Sequence, residues 1–549
     1  MARLRLDKLR EAPVRDIIIL IVVTLAVTVP FINQAFRWDD RDFVEQAEVL
    51  AREPGKLRLE DYSALGRFYP KYPFRHPPLT GYYMSLFIRV GGVSEPLIHT
   101  AYLFFPVIAA VSMYSLGRRF TGQQPLAAAL LFVLTPGVMV MSHTVMGNLP
   151  GVSLWLAATA LFIRGVDRYS WKLLLLSGFV MAADILTFAQ AIALVPLLVL
   201  YALLYRRRLP VFLTFLLPLA VYAFWRYYVQ LRLGHPPAVS YVAELNFDLQ
   251  ARDILTFLGG AIIFPVSVWI AFLRRKIDLL AGFIAIPPVV TWAAVYFLSQ
   301  GDLNLAQGVI VALLAGAGFL IIYGFAAGAA SDGWILIKQR KLSADNIFLS
   351  AWFAAILSAY VISSLPFIAV RHLLPLFAPV VLLFIREAEK LWPRLPRVRT
   401  GFIVATILVT GLFSLAASIA DYRAAGLYRE TAGRMAQEYG NSQVKVWSLG
   451  EFEWRYYMEK NGFEYLGVNS EARPGDLVIV SEVHTQGLVA PLPEGFFTVE
   501  SRIEPADRFP VRIMNPWAGA GFYGNPHGPV PVIFSREKLD EITVNRLDW

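Results

Sequence analysis

The sequence predicts an α-helical polytopic membrane protein of about thirteen transmembrane helices with a C-terminal soluble α/β domain. Three observations predict it. Of 549 residues, 56% are hydrophobic and only 17% charged, too little charge for the several soluble domains a chain of this length would form. Apolar runs of about 20 residues, the length that crosses a hydrocarbon core of about 30 Å, recur as far as residue 420. After residue 421 they give way to short strand-like runs separated by turn residues.

The elements follow in order. Spans are expected near 16–33, 95–116, 123–142, 149–163, 173–186, 189–205, 209–227, 254–273, 277–298, 305–327, 347–364, 370–386 and 402–420. The first follows a basic start (Arg3, Arg5, Lys8, Arg10, Arg15). Its length and the lack of a small-x-small site after it favour a retained helix over a cleaved signal peptide. Basic loops then recur on one side: Arg118-Arg119; Arg164, Arg168 and Lys172; Arg206-Arg207-Arg208; Arg274-Arg275-Lys276; Lys338 to Lys341; Arg386 to Arg399. By the positive-inside rule that side is cytoplasmic, with the N-terminus inside and the tail outside. The formal charge of +9 lies in those loops, so it reports topology and not nucleic-acid binding. The chain has no cysteine, which excludes disulfides and thiolate catalysis. No Gly-Lys-Ser/Thr loop follows a strand, which argues against ATP-driven work.

The division expected is a transmembrane domain over 1–420, with an outward-facing first loop at 34–94, and an extracytoplasmic domain over 421–549. Within the first loop, Asp42 to Arg52 places Phe43, Ala47 and Leu50 on one helical face, which predicts a short interfacial helix behind an interfacial Trp38. Leu79 to Val90 reads as a second amphipathic stretch after Pro77-Pro78. In the tail, strands are expected at Val444–Leu449, Leu477–Val480, Phe496–Ile503 and Glu541–Val544, with a helix at Phe452–Asn461. Val530–Phe534 contains Pro531 and is at best an edge strand.

The chemistry-bearing residues gather on the outer side. Asp39 and Asp40 follow the first span directly. The plain reading is a hydrated acidic helix end; the functional one is a carboxylate base at the membrane surface. Lys71, Arg75 and His76, with Arg226, Arg371 and His372, are either snorkelling side chains or a clamp on a phosphate. Asn148, Gln190 and Glu244 are assigned to acceptor or sugar binding, against the plainer reading of solvated loops that also covers Asp184, Asp248 and Asp253. No cofactor is assigned. A divalent metal held by some of His76, His143, His235 and His372 has no local ligand spacing behind it.

Together, in order, these motifs resemble the polytopic GT-C glycosyltransferases, in the branch of the protein O-mannosyltransferases and the bacterial lipid A aminoarabinose transferases. Asp39-Asp40 is similar to the family's acid pair after the first span. His76-Pro77-Pro78-Leu79 resembles its Lys-Pro-Pro-Leu, and Arg371-His372-Leu373-Leu374-Pro375 its Arg-Tyr-Leu-Leu-Pro. Arg455-Tyr456-Tyr457-Met458-Glu459 resembles the outer domain of bacterial members. The chain departs at Asn148-Leu149-Pro150, where many members carry an acid, and at Leu186-Thr187-Phe188-Ala189, which lacks a family lysine. The resemblance implies an inverting glycosyltransferase of the cell envelope. It would move a hexosyl or pentosyl group from a polyprenyl-phosphate donor to a protein, lipid or glycan acceptor at the outer face. Asp39 would be the base, and Asp40 would orient the acceptor or a metal. A non-enzymatic lipid or glycan carrier, which should place charge at mid-membrane on broken helices, and a glycan ligase or polymerase are the alternatives.

Overall fold

The first helix, Val14–Thr28, shows how these spans are built. Asp16, Leu20, Thr24 and Thr28 recur every fourth residue and are buried, whereas Val14, Ile18 and Val22 point outward. Thr24 and Thr28 donate their hydroxyls to the carbonyls of Leu20 and Thr24 at 2.7 and 2.8 Å, so neither polar group is stranded. The result is one face for the bundle and one for lipid. This geometry comes from a computed structural model, which describes residues 14–57, 61–64, 67–70, 77–205, 209–233, 247–272, 305–339, 343–362, 367–467, 470–485, 497–505 and 507–548.

Among the described residues, six helices are long and apolar enough to cross a membrane: Val14–Phe31, Glu95–Phe120, Asn148–Arg168, Pro210–Leu231, Gln307–Ala330 and Pro396–Tyr439. A seventh span arises if Ala251–Ala261 and Pro265–Phe272, bent by 95°, count as one. The protein is thus a multi-pass membrane protein. The remaining expected spans that fall on described residues are helical without meeting that test of length and apolarity; 123–142, for example, divides into Pro125–Val133 and Pro136–Met141 at Pro136. The span expected at 277–298 lies outside the described residues.

After the first span the chain forms a second helix, Asp40–Arg52, and a third, Leu79–Gly91. The second is more enclosed than an interfacial helix would be: Phe43, Val44, Ala47 and Leu50 are all buried. Its N-terminal neighbour Trp38 is 3% exposed and not at an interface, because the tail covers it.

The helix Pro396–Tyr439 is a single rod of 44 residues. It runs across residue 421 and carries the chain from the bundle into the tail. There, five strands form a mixed sheet: β3 (Val446–Leu449), β4 (Glu464–Tyr465), β5 (Leu477–Ser481), β6 (Phe497–Ile503) and β9 (Ile542–Leu547), in the order β4-β3-β5-β9-β6. The short pairs β1–β2 (Asp61–Ala64, Arg67–Pro70) and β7–β8 (Met514–Asn515, Ala520–Gly521) lie apart from it. β3 runs parallel to β4 and β5; β9 is antiparallel to β5 and β6. Val530 and Ile533 make only isolated bridges, as Pro531 led one to expect. The helix Phe452–Lys460 and the end of the long rod pack on one face through Tyr428, Met435, Trp454 and Met458.

Candidate active site

The tail is locked onto the chain segment that leaves the first span. Arg37, 1% exposed, donates its Nε to Asp421 at 2.8 Å and its other arm to Glu453. Glu453 also accepts the backbone N–H of Trp38 at 2.8 Å and faces His484 at 3.2 Å. Tyr523 donates to Asp421 at 2.7 Å, and Tyr457 binds the backbone N–H of Phe36 at the same distance. Burial pushes the Glu453 carboxyl up, but Arg37 and His484 outweigh it and hold it near about 2. Burial pushes His484 down, and Glu453 with Asp540 reverses that, leaving it above the ordinary histidine value. Ser481 donates to Asp540 at 2.5 Å and meets His484 Nδ1 at 2.8 Å. Ser481, His484 and Asp540 are all buried, so the set is closed to the surface in this structure.

These contacts force a strained backbone. Trp38 has φ +48°, a left-handed value that a bulky residue rarely adopts. Its ring is caged by Phe452 at 4.6 Å, His484 at 5.3 Å, and His527 at 4.9 Å. Phe452 is itself left-handed, with φ +58°. The next residue is Asp39.

The turn 522–527 also holds the second half of the site. Asn525 accepts the backbone N–H of Ile368 at 2.8 Å and donates to Asp253 at 2.6 Å, and Val370 N–H donates to the Phe522 carbonyl at 3.0 Å. These bonds fix the entry to the helix Val370–Ala388, whose second residue is Arg371. Arg371 Nη2 lies 2.7 Å from Asp39 Oδ2. The Asp39 side chain is 18% exposed and that of Arg371 8%. The pair is therefore reachable from outside but held by a rigid surround.

The other expected site residues fall in different places. Asp40 is 0% exposed, and each of its oxygens accepts a backbone N–H, from Arg37 and from Val145, at 2.8 Å. Burial raises its carboxyl well above the usual range. It pins the start of the second helix to the turn before Asn148. His372 stacks near Tyr360 and Phe367. Asn148 opens the helix Asn148–Arg168 and is partly buried; Gln190 and Arg226 are exposed. Lys71, Arg75, His76 and Glu244 lie outside the described residues.

Two acids read as solvated are not. Asp253 is 0% exposed, bonded to Arg252 and Asn525. Asp184 is 1% exposed, and neither carboxyl oxygen has a hydrogen-bond partner among the described residues. No group of three or more His, Cys, Asp or Glu among the described residues could hold a metal ion. Arg37, Asp421, Glu453, His484 and Asn525 carry the architecture, and sequence reasoning missed them. The one nearby signal was the Arg455-to-Glu459 motif, two residues after Glu453. Arg455 there joins Arg41, Glu451 and Glu459 in a second charged cluster between tail and loop.

Comparison with known proteins adds the following. Residues 75–227 match the family model described as dolichyl-phosphate-mannose-protein mannosyltransferase. Among solved structures, the chain is similar to ArnT from Cupriavidus metallidurans bound to undecaprenyl phosphate, at 16% identity over 97% of this chain and 98% of that one, with a TM-score of 0.43. It is also similar to the Archaeoglobus fulgidus oligosaccharyltransferase tethered to an acceptor peptide, at 12% identity over 82% and 63%, TM-score 0.46. A third is the arabinofuranosyltransferase AftD from Mycobacteria, at 11% identity over 98% and 40%, TM-score 0.40. No curated protein matches the chain. Through the matched segment, which carries the His76-Pro77-Pro78-Leu79 motif, this protein is similar to the GT-C glycosyltransferases of the protein O-mannosyltransferase branch.

Proposed function

We propose that the protein is a membrane glycosyltransferase that moves a sugar from a polyprenyl-phosphate donor to an acceptor at the Asp39 face, with inversion. The observation that carries this reading is the Asp39–Arg371 pair: a base candidate and a phosphate-binding cation at 2.7 Å, partly open, on a buried frame. The donor class follows from the family match, whose namesake uses a dolichyl phosphate.

The step runs as follows. The donor phosphate takes the Arg371 guanidinium, which can hold two oxygens at once. This releases the Asp39 carboxylate from its ion pair. Asp39 accepts the proton of the acceptor hydroxyl as that oxygen attacks the anomeric carbon from the face opposite the phosphate. The bond from carbon to phosphate oxygen breaks, and the polyprenyl phosphate departs with the electron pair, so no general acid is needed. Asp40 positions rather than reacts. The alternation of basic loops supports placing this face, with the tail over 421–549, outside the cell.

The test is purified protein incubated with polyprenyl-phosphate sugars, with loss of donor as readout. Consumption by wild type and not by Asp39→Asn is the expected result. Equal consumption by both would falsify the role of Asp39, and no consumption of any such donor would count against the donor class.

A further inference from the structure

A second polar site lies at the other end of the bundle. Asp16, in the first turn of the first helix, accepts a 2.8 Å hydrogen bond from Tyr114, near the end of the helix Phe104–Phe120. That end is therefore level with the start of the first span, whereas Asp39 follows its finish. Helix Val14–Thr28 alone separates the two by about 1.5 Å per residue. Arg119 stands there at the mouth of a cavity of about 450 Å³, lined also by Asp345, Arg386, Glu389, Lys390 and Arg399.

The charges within this cavity do not balance. Glu389 is fully engaged: it accepts the backbone N–H groups of Gly122, Gln123 and Gln124 at 2.8, 2.7 and 3.0 Å. Arg119 is paired with Asp167 and Asp345, both at 2.9 Å, and Lys390 with Glu387. Among the described residues, Arg386 and Arg399 have only neutral partners. Arg386 donates to the Asn346 side-chain oxygen, and Arg399 to the backbone carbonyl of Glu389 at 3.0 Å. Neither has a carboxylate partner among the described residues. The Nε of Arg399 is buried and has no hydrogen-bond partner there. Asp345 and Glu389 are engaged elsewhere, so two guanidinium charges line the cavity with no carboxylate partner among the described residues, and a buried unpaired donor is unfavourable enough to point to a missing partner.

We infer that this cavity binds a phosphate-bearing anion between Arg386 and Arg399. Guanidinium groups match phosphate oxygens two at a time. The chemistry has two sources, an anionic lipid headgroup at the end of the spans or a soluble phosphate, and the lipid is the one a site beside spanning helices would meet.

Native mass spectrometry of the detergent-purified full chain, titrated with short-chain phosphatidylglycerol, phosphatidylcholine or inorganic phosphate, tests this. We expect phosphatidylglycerol to bind more tightly than phosphatidylcholine, with affinity falling about tenfold or more for each arginine lost in Arg386→Gln and Arg399→Gln. The charge-keeping variant Arg386→Lys with Arg399→Lys should retain more binding than the glutamine pair, which separates loss of charge from loss of fold. Saturation by inorganic phosphate, competed by neither lipid, would support the site and assign it to a soluble anion. Binding of phosphatidylglycerol and phosphate unchanged in the double glutamine variant, or absent in wild type, overturns the inference.

Discussion

Arg37 and Asp39 stand two residues apart, and their ion pairs do opposite work. The Arg37 cluster with Asp421 and Glu453 is sealed, at 1% exposure or less on every side chain. Asp39 with Arg371 is more open on its carboxylate side. A sealed ion pair is hard to break, because removing one partner leaves a charge stranded in low dielectric. A partly open pair can exchange its partner for a ligand. The left-handed backbone at Trp38 separates the two, turning one residue into the tail interface and the next toward the exposed face. The same stretch of chain therefore supplies both the frame and the carboxylate proposed to react.

The sharpest way to break this contrast is Asp39→Asn. Turnover should drop by about 10²- to 10⁴-fold, as loss of a general base does. Thermal stability should change by no more than about 1 kcal/mol, the scale of a partly exposed pair. Steady-state kinetics and a melting curve on the same preparation decide it; a large loss of stability would place Asp39 with the frame instead.

Glu453→Ala should show the reverse. It removes one of the two carboxylates that Arg37 meets and leaves the Trp38 N–H and His484 without theirs, and stability should fall by about 3–5 kcal/mol in denaturant unfolding. Activity per folded molecule should survive better than in Asp39→Asn. If stability holds, the sealed cluster is not what docks the tail.

Next in size is Arg371→Lys. A point charge remains but the two-oxygen fork is lost, so donor affinity should weaken by about tenfold while Asp39 keeps a cationic neighbour. Donor binding equal to wild type would remove Arg371 from the phosphate site.

The smallest expected effect is on pH. The raised His484 value gives stability that is complete below about 6.5 and fades as pH climbs through the folded value. The depressed Glu453 value gives stability present above its ordinary 4.5 and lost as pH falls toward about 2. The melting temperature should therefore decline from pH 6 to pH 9, and His484→Gln should flatten that slope. A variant with the wild-type slope would show that His484 is not the titrating group.

The asymmetry between frame and site also separates what sequence and fold contributed. Several of the apolar spans, the helix after Asp39, the tail strands and the place of Asp39 at the end of the first span were legible, because hydropathy, helical period and turn chemistry are read within about 20 residues. Arg371 was legible as a cation at a span's start, through the motif it opens. Which groups meet was not legible. Arg37 finds Asp421 and Glu453 across 384 and 416 positions, and no local pattern records such a pairing. Asp253 and Asp184 were misread as solvated for the same reason: a carboxylate's neighbours across the bundle decide its burial. The sequence by itself determined that acids and cations would stand at the ends of the spans. Only the tertiary structure decided that Asp40 is sealed on backbone N–H groups while Asp39, one residue earlier, stays open to Arg371, because the tail's contacts fix the turn at Trp38.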